Sequence, residues 1–184
     1  GRLVSEEALR LLSEPAPLPD GAAVSFVGGF SCTTLGAHAG STLGGSLAGG
    51  SVHAAWYPDL DLALVLLTTD EGAPLALIER RLTRAFLGEV GPELSELELP
   101  AEALARYVGG YFVGCLSYRV EARSGQLWIM PSDGRALRLR FQGEDSFAAE
   151  DDPDVRVTFE VADEVARALV FDEHGFLTVA VRME

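Results

Sequence analysis

The residues able to do chemistry in this chain are three histidines, many carboxylates and a scatter of serines and threonines. One short segment gathers several of them: His38-Ala39-Gly40-Ser41. Taken alone, such a histidine reads as a turn or half-buried residue, and the small residues after it leave room for a second group to approach. The other two histidines have no acid at a fixed sequence spacing. His53 reads as a packing residue and His174 as a turn residue. No serine sits in Gly-x-Ser-x-Gly, because Gly45-Ser46-Leu47-Ala48-Gly49 has the wrong offset for a nucleophile elbow. Cys32 and Cys115 form no CxxC or zinc-ligand pattern and read as buried free thiols. No cofactor or metal is expected.

Two absences are chemically strict. The chain contains neither Lys nor Asn, and its 14 basic residues are all Arg. No lysine base, Schiff base or P-loop lysine can come from it. The net charge of -14 repels phosphate backbones and excludes nucleic acid as a partner. Glu144-Asp145 and Glu150-Asp151-Asp152 lack the ligand alternation and central Gly of a calcium loop and read as solvated turns. No apolar run is long enough to span a membrane as a helix.

The elements that must position these residues fall into two groups. Ser5 is placed to cap a short helix through Leu12, ended by Pro15, Pro17 and Pro19, with a turn at Asp20-Gly21. Strands follow at Ala22–Thr34, Leu35–Leu43, Ser51–Trp56 and Leu62–Thr68. The last is apolar at all but its final position, which predicts cover on both faces. Gly44–Gly50 reads as an inserted flexible loop. Pro74–Leu87 spaces Leu75, Ile78, Leu82 and Phe86 as an amphipathic helix ended by Gly88. A helix on a sheet of hairpins is an α+β layer.

Residues 91–100 read as a linker. After a short helix at Ala101–Tyr107, strands are expected at Tyr118–Glu121, Gln126–Met130, Ala136–Phe141, Ser146–Ala148, Val155–Val161, Arg167–Asp172 and Thr178–Arg182. Turns such as Ser124-Gly125, Asp133-Gly134 and His174-Gly175 separate them. Many short strands with regular turns predict a small antiparallel β-barrel, since closure removes exposed edges. Tyr111, Phe112, Tyr118, Trp128, Phe141 and Phe159 would furnish its core or a ligand cage. The fold class is therefore α+β: an antiparallel sheet with packed helices, then a barrel.

The order of these pieces resembles the serine β-lactamase, penicillin-binding-protein and esterase superfamily. His38-Ala39-Gly40 is similar to the His-x-Gly variant of its third motif. Trp56-Tyr57-Pro58-Asp59 resembles the aromatic-Pro-acid turn that follows, and Leu62–Thr68 the apolar strand after it. Gly1-Arg2-Leu3-Val4-Ser5 and Val27-Gly28-Gly29-Phe30 resemble the family's flanking helix start and Tyr-Gly-Leu-Gly-Phe strand. Tyr107-Val108-Gly109-Gly110-Tyr111 and Gly125-Gln126-Leu127 resemble the lipocalin-like domain appended to many such hydrolases.

The resemblance implies that residues 1–90 are the C-terminal part of a serine hydrolase domain and residues 101–184 a lipocalin-like barrel. It implies an acyl-enzyme reaction on amide or ester bonds of a small molecule or peptide, in which His38 would place a donor or a proton over the substrate, Gly40 would give clearance and the Ser41 N–H would meet the oxyanion. The family nucleophile, Ser-x-x-Lys, and its partner, Tyr-x-Asn or Ser-x-Asn, cannot occur here. The expectation is a chain that is inactive alone and associates with itself or with a missing N-terminal half. The alternative is a non-catalytic binding module built on the barrel. Relatives are often periplasmic or secreted, and any signal would lie upstream.

Overall fold

A computed structural model describes residues 3, 5–17, 23, 24, 26–95, 97–132 and 135–183. The turns expected at Asp20-Gly21 and Asp133-Gly134 lie outside these residues. The chain divides into two compact units, 1–90 and 91–184.

In the first unit, α1 spans Glu6–Ser13, and the Ser5 hydroxyl accepts from the Ala8 N–H at 3.1 Å, as the capping expectation required. One short strand pair follows, β1 at Ala16–Pro17 with β2 at Ala23–Val24. The main sheet comprises β3 (Phe26–Val27), β4 (Phe30–Leu35), β5 (His38–Leu47), β6 (Gly50–Tyr57) and β7 (Leu62–Thr68). Its order is the order of the chain, and every pair is antiparallel. The strand expected at Ala22–Thr34 is interrupted by a hairpin. Gly28 and Gly29 both have positive φ, 59° and 94°, which a two-residue turn between β3 and β4 demands. The expected loop at Gly44–Gly50 is also absent. Those residues finish β5, turn at Ala48-Gly49 and start β6, in unbroken register from Ser41↔Trp56 to Leu47↔Gly50. Glu71 pins this turn by accepting from the Gly49 N–H at 2.7 Å.

Helix α2, Leu75–Leu87, ends at Gly88 with φ 71° and packs on β6 and β7. It meets the sheet with its polar side. Glu79, Arg80 and Thr83 are buried, whereas Ile78, Leu82 and Phe86 are exposed. The apolar spacing read from the sequence is therefore real but faces outward. The sheet face under α2 carries Thr33, Ser51, His53 and Tyr57, so the buried polar groups of the helix find partners there.

The second unit begins with an extended segment and a 3₁₀ turn at Ala101–Arg106. Eight strands close an antiparallel barrel: β8 (Gly109–Val113), β9 (Leu116–Arg123), β10 (Gln126–Pro131), β11 (Leu137–Gly143), β12 (Ser146–Ala149), β13 (Val155–Ala162), β14 (Val165–Glu173) and β15 (Phe176–Arg182). Alternate residues point inward, as in Tyr118 and Val120, Leu127 and Ile129, Val155, Val157 and Phe159. Tyr107, Phe147 and Phe159 pack ring on ring with centroids 4.8 to 5.6 Å apart, so the interior is a filled core. Phe112 lies outside that core and is exposed.

Closure rests on only two registered pairs between β15 and β8. Arg182 reinforces the seam by donating to the carbonyls of Val108 (2.6 Å) and Ala166 (3.2 Å). The α+β class with an antiparallel sheet followed by a small antiparallel barrel is thus the observed architecture.

Candidate functional site

The site suggested by sequence lies on β5, and the ladder around that strand decides what it can offer. The β4–β5 and β5–β6 hairpins both have two-residue turns, closing on Leu35↔His38 and Leu47↔Gly50. Such closing pairs exchange both backbone hydrogen bonds, and the hydrogen-bonded pairs then alternate along the ladder. The two hairpins give the same phase. His38, Gly40 and Thr42 turn their N–H and C=O groups toward β4, and Ser41, Leu43, Gly45 and Leu47 turn theirs toward β6.

Ser41 therefore commits its N–H to Trp56 rather than to a ligand. Gly40 also has a packing role: a Cβ there would lie 2.7 Å from the Tyr57 ring. His38 stands at the far end of β5, where its Nδ1 meets Asp59 Oδ2 at 2.5 Å. That contact ties the β5 start to the turn after β6 and leaves Nε2 on the outer side of the ring. The three expected site residues thus sit together on one strand, in its doubly paired half.

The other half of β5 is different. β4 reaches only Ser31↔Thr42, and no strand among the described residues pairs with Leu43–Leu47 on that side. By the alternation just described, Gly44 and Ser46 direct their N–H and C=O groups to this open edge. Both flanking glycines are bare. A Cβ at Gly45 would meet nothing within 4 Å, and one at Gly44 would meet only His53 Nδ1 at 3.5 Å and the Val52 carbonyl at 3.8 Å. A second backbone can approach here without steric cost.

Beside the edge, the sheet face opposite α2 carries Phe30, Leu43, Leu47, Val52, Trp56, Val65 and Leu67, all exposed. Leu47 is 83% and Leu67 77% accessible. The expectation that β7 is covered on both faces is corrected by this: its residues alternate between half-buried and exposed. Among the described residues, the buried apolar core of this unit is Leu35, Ala55 and Tyr57. A contiguous apolar patch above a few hundred Å² on a folded chain marks an interaction site.

Under the opposite face lies a buried polar cluster. Glu79 accepts from the Thr83 hydroxyl at 2.8 Å, and Arg80 donates to the Thr34 carbonyl at 2.9 Å. His53 Nε2 is 3.7 Å from Glu79 Oε2. His53 Nε2 is buried without a hydrogen-bond partner, and the buried Tyr57 hydroxyl faces Glu79. Burial, and then the Glu79 charge, raise the Tyr57 pKa well above its ordinary value. His53 is thus more than a packing residue, because a carboxylate faces it. His174 likewise contacts Asp152 Oδ2 at 3.0 Å in the second unit. No sequence spacing announced these acids, which come from other elements. Cys115 is exposed and Cys32 half-buried, so neither thiol is fully buried as expected.

Comparison with known proteins gives distant likeness only. No family model matches the chain, and no curated protein matches it. Among solved structures, SurE with D-Leu is 22% identical, with a TM-score of 0.48 over 99% of this chain and 44% of that one. A second SurE structure gives 21% and 0.47, covering 99% of this chain and 43% of its own. An octameric penicillin-binding protein homologue from Pyrococcus abyssi gives 16% and 0.44, over 98% of this chain and 43% of that one. The chain spans less than half the length of these structures. At such scores they bear on neither activity nor substrate.

Proposed function

We propose that residues 1–90 form the C-terminal part of a serine hydrolase domain of the β-lactamase and penicillin-binding-protein kind. In this reading it acts on amide or ester bonds of a small molecule or peptide through an acyl-enzyme. The nucleophile comes from a segment outside this sequence. Residues 101–184 are its appended lipocalin-like barrel.

The observation that carries this reading is the bare apolar face of the sheet beside the open edge of β5. Covering both faces of such a sheet takes a layer on each side, and on the face opposite α2 the side chains of Leu43, Leu47, Val65 and Leu67 are exposed. A second layer bearing Ser-x-x-Lys would cover Phe30, Leu43, Val65 and Leu67 and bring its serine to the edge at Gly44–Ser46. There the outward N–H of Gly44 or Ser46 would meet the oxyanion, a contribution of roughly 3 kcal/mol for one donor. His38, Gly40 and Ser41 enter the proposal on the same strand. Gly40 and Ser41 hold β5 in register, and His38, oriented by Asp59, keeps the start of the strand fixed.

The test is reconstitution. Joined to or mixed with an upstream segment carrying Ser-x-x-Lys, the chain should give a burst of acyl-enzyme with a p-nitrophenyl ester or a chromogenic β-lactam. The chain by itself should give none. Turnover by the isolated chain would overturn the proposal, as would a reconstituted protein that acylates normally with the open edge blocked.

A further inference from the structure

We propose that two copies of this chain pair through the outer face of the barrel, along the seam where β15 meets β8, with their β15 strands antiparallel about a two-fold axis. The inference concerns the second unit alone and is independent of the hydrolase reading.

The amphipathy of β15 is inverted. Its outward side chains are Leu177, Val179 and Val181, whereas Thr178 and Arg182 alternate with them on the inner side. A sheet face turned to water carries polar residues, so this row calls for cover. Phe112 extends it onto β8, directly across the ladder from Val181, and Met183 lies over Gly110 of the same strand. Each of these five apolar side chains is at least 49% accessible. Together they present on the order of 500 Å² of apolar surface, enough to mark an interaction site. A standard interface buries ~800 Å² on each side, a little over half of it apolar, so the patch supplies one such apolar core.

The charges at its ends choose the occupant. Asp172 stands across the ladder from Leu177, at one end. Arg167 lies toward the other, where the β13–β14 register passes from Ala168 to Ala166 and leaves it out of the ladder. Its side chain is exposed beside Asp163 at 3.6 Å, and an ion pair so open to water holds it weakly. A two-fold axis through Val179, perpendicular to β15, sets Val179 against itself and Leu177 against Val181 of the second copy. It also sets Asp172 against the Ala168 position and its neighbour Arg167 in the second copy, twice over. Phe112 then meets the β8–β9 turn, where a Cβ on Gly114 would find nothing within 4 Å. Parallel strands would instead set Asp172 against that turn, Gly114-Cys115, which carries no cation. The patch is thus complementary to itself in shape and charge in one orientation.

Sedimentation equilibrium of the full chain carrying Val65→Glu and Leu67→Glu tests this, because association that survives the blocked sheet face belongs to the barrel. A monomer–dimer equilibrium is expected. Val179→Glu in that background should weaken it by more than about tenfold, since it sets a carboxylate against its own copy in an apolar contact. Arg167→Glu and Asp172→Arg should each weaken it severalfold, and the two together should recover most of the loss. That recovery reports the interface, because Asp172→Arg forfeits the hydrogen bond from the Gly175 N–H in the single and the double variant alike. Far-UV circular dichroism should match the parent throughout, which separates loss of the contact from loss of the barrel. The proposal is overturned by a monomer at high concentration in the Val65→Glu, Leu67→Glu chain, which would leave the patch to a different protein. Dimers that survive Val179→Glu, or a double exchange no tighter than the singles, overturn it equally.

Discussion

Gly40 lies flat against the ring of Tyr57, with no room for even one methyl group between them. A Cβ at this position would approach Tyr57 Cδ1 to 2.7 Å and the Trp56 carbonyl oxygen to 2.8 Å. Tyr57 is fully buried and anchors the small apolar core of the sheet unit with Leu35 and Ala55. The ring cannot retreat without displacing that core. Gly40→Ala should therefore destabilise the unit by about 1–3 kcal/mol, read as a lower urea midpoint. Gly45→Ala is the control. Its added methyl meets nothing within 4 Å, and its stability should stay within about 0.5 kcal/mol of the parent. Equal loss at the two sites would contradict the packing account of Gly40.

The exposed sheet face predicts how the chain behaves in solution. Phe30, Leu43, Leu47, Val65 and Leu67 present apolar surface to water on one side of a five-stranded sheet. Burying such surface stabilises association by about 25 cal/mol per Å² before entropic costs. The chain should associate with itself in a concentration-dependent way in sedimentation velocity. Replacing Val65 and Leu67 together with Glu should shift it toward the monomer. The net charge of -14 becomes more negative, and neither side chain leaves a cavity because both point to solvent. A parent chain that sediments as a clean monomer at high concentration would refute this.

The parts of the fold that were legible in sequence are those with a local signature. Most barrel strands alternate with period two and are joined by short turns, and α2 carries its Gly88 stop. What was not legible depended on partners or on phase. β8 was missed because Gly109 and Gly110 supply no side chains to alternate, although Arg182 packs against Gly109. Gly44–Gly50 looked like a loop because glycine disfavours strands, yet Glu71 and the partner strand hold it in one. Continuous apolarity in Leu62–Thr68 cannot say whether a second layer is present to cover it. Which N–H groups on β5 face outward follows only from turn lengths at both ends, and by that phase they are those of Gly44 and Ser46.

His53 and Glu79 lie 26 positions apart in sequence and come from β6 and α2. The carboxylate is 1% accessible, and the Thr83 hydroxyl donates to it while His53 faces it. Glu79→Ala should cost about 3 kcal/mol or more, because it removes the acceptor of Thr83 and leaves His53 and Tyr57 facing a void. Glu79→Gln keeps the shape and one carbonyl acceptor and should cost less. Chemical denaturation of both variants checks the order. If the two lose the same amount, the contribution of Glu79 lies in its volume and not in its charge and hydrogen bonding.

The alkaline limit of the barrel should be set in part by Tyr107. Its ring is buried at the junction of the 3₁₀ turn and the barrel, and its hydroxyl donates to Asp145 Oδ1 at 2.5 Å. Burial, the hydrogen bond and the Asp145 charge all oppose ionisation, and the pKa is raised above the ordinary 10.0. The folded state therefore holds this proton more tightly than the unfolded chain does. Its stabilisation is fully present below about pH 10, the unfolded pKa, and is lost as pH rises above that value toward the folded pKa. Unfolding midpoints in urea should be flat from pH 8 to about 9.5 and fall beyond. Tyr107→Phe should lower the plateau by about 1–2 kcal/mol for the lost hydrogen bond and flatten the alkaline decline. Tyr111 also has a raised pKa, caused first by burial, so some decline remains in the variant. An alkaline limb as steep in Tyr107→Phe as in the parent would assign the loss to other groups.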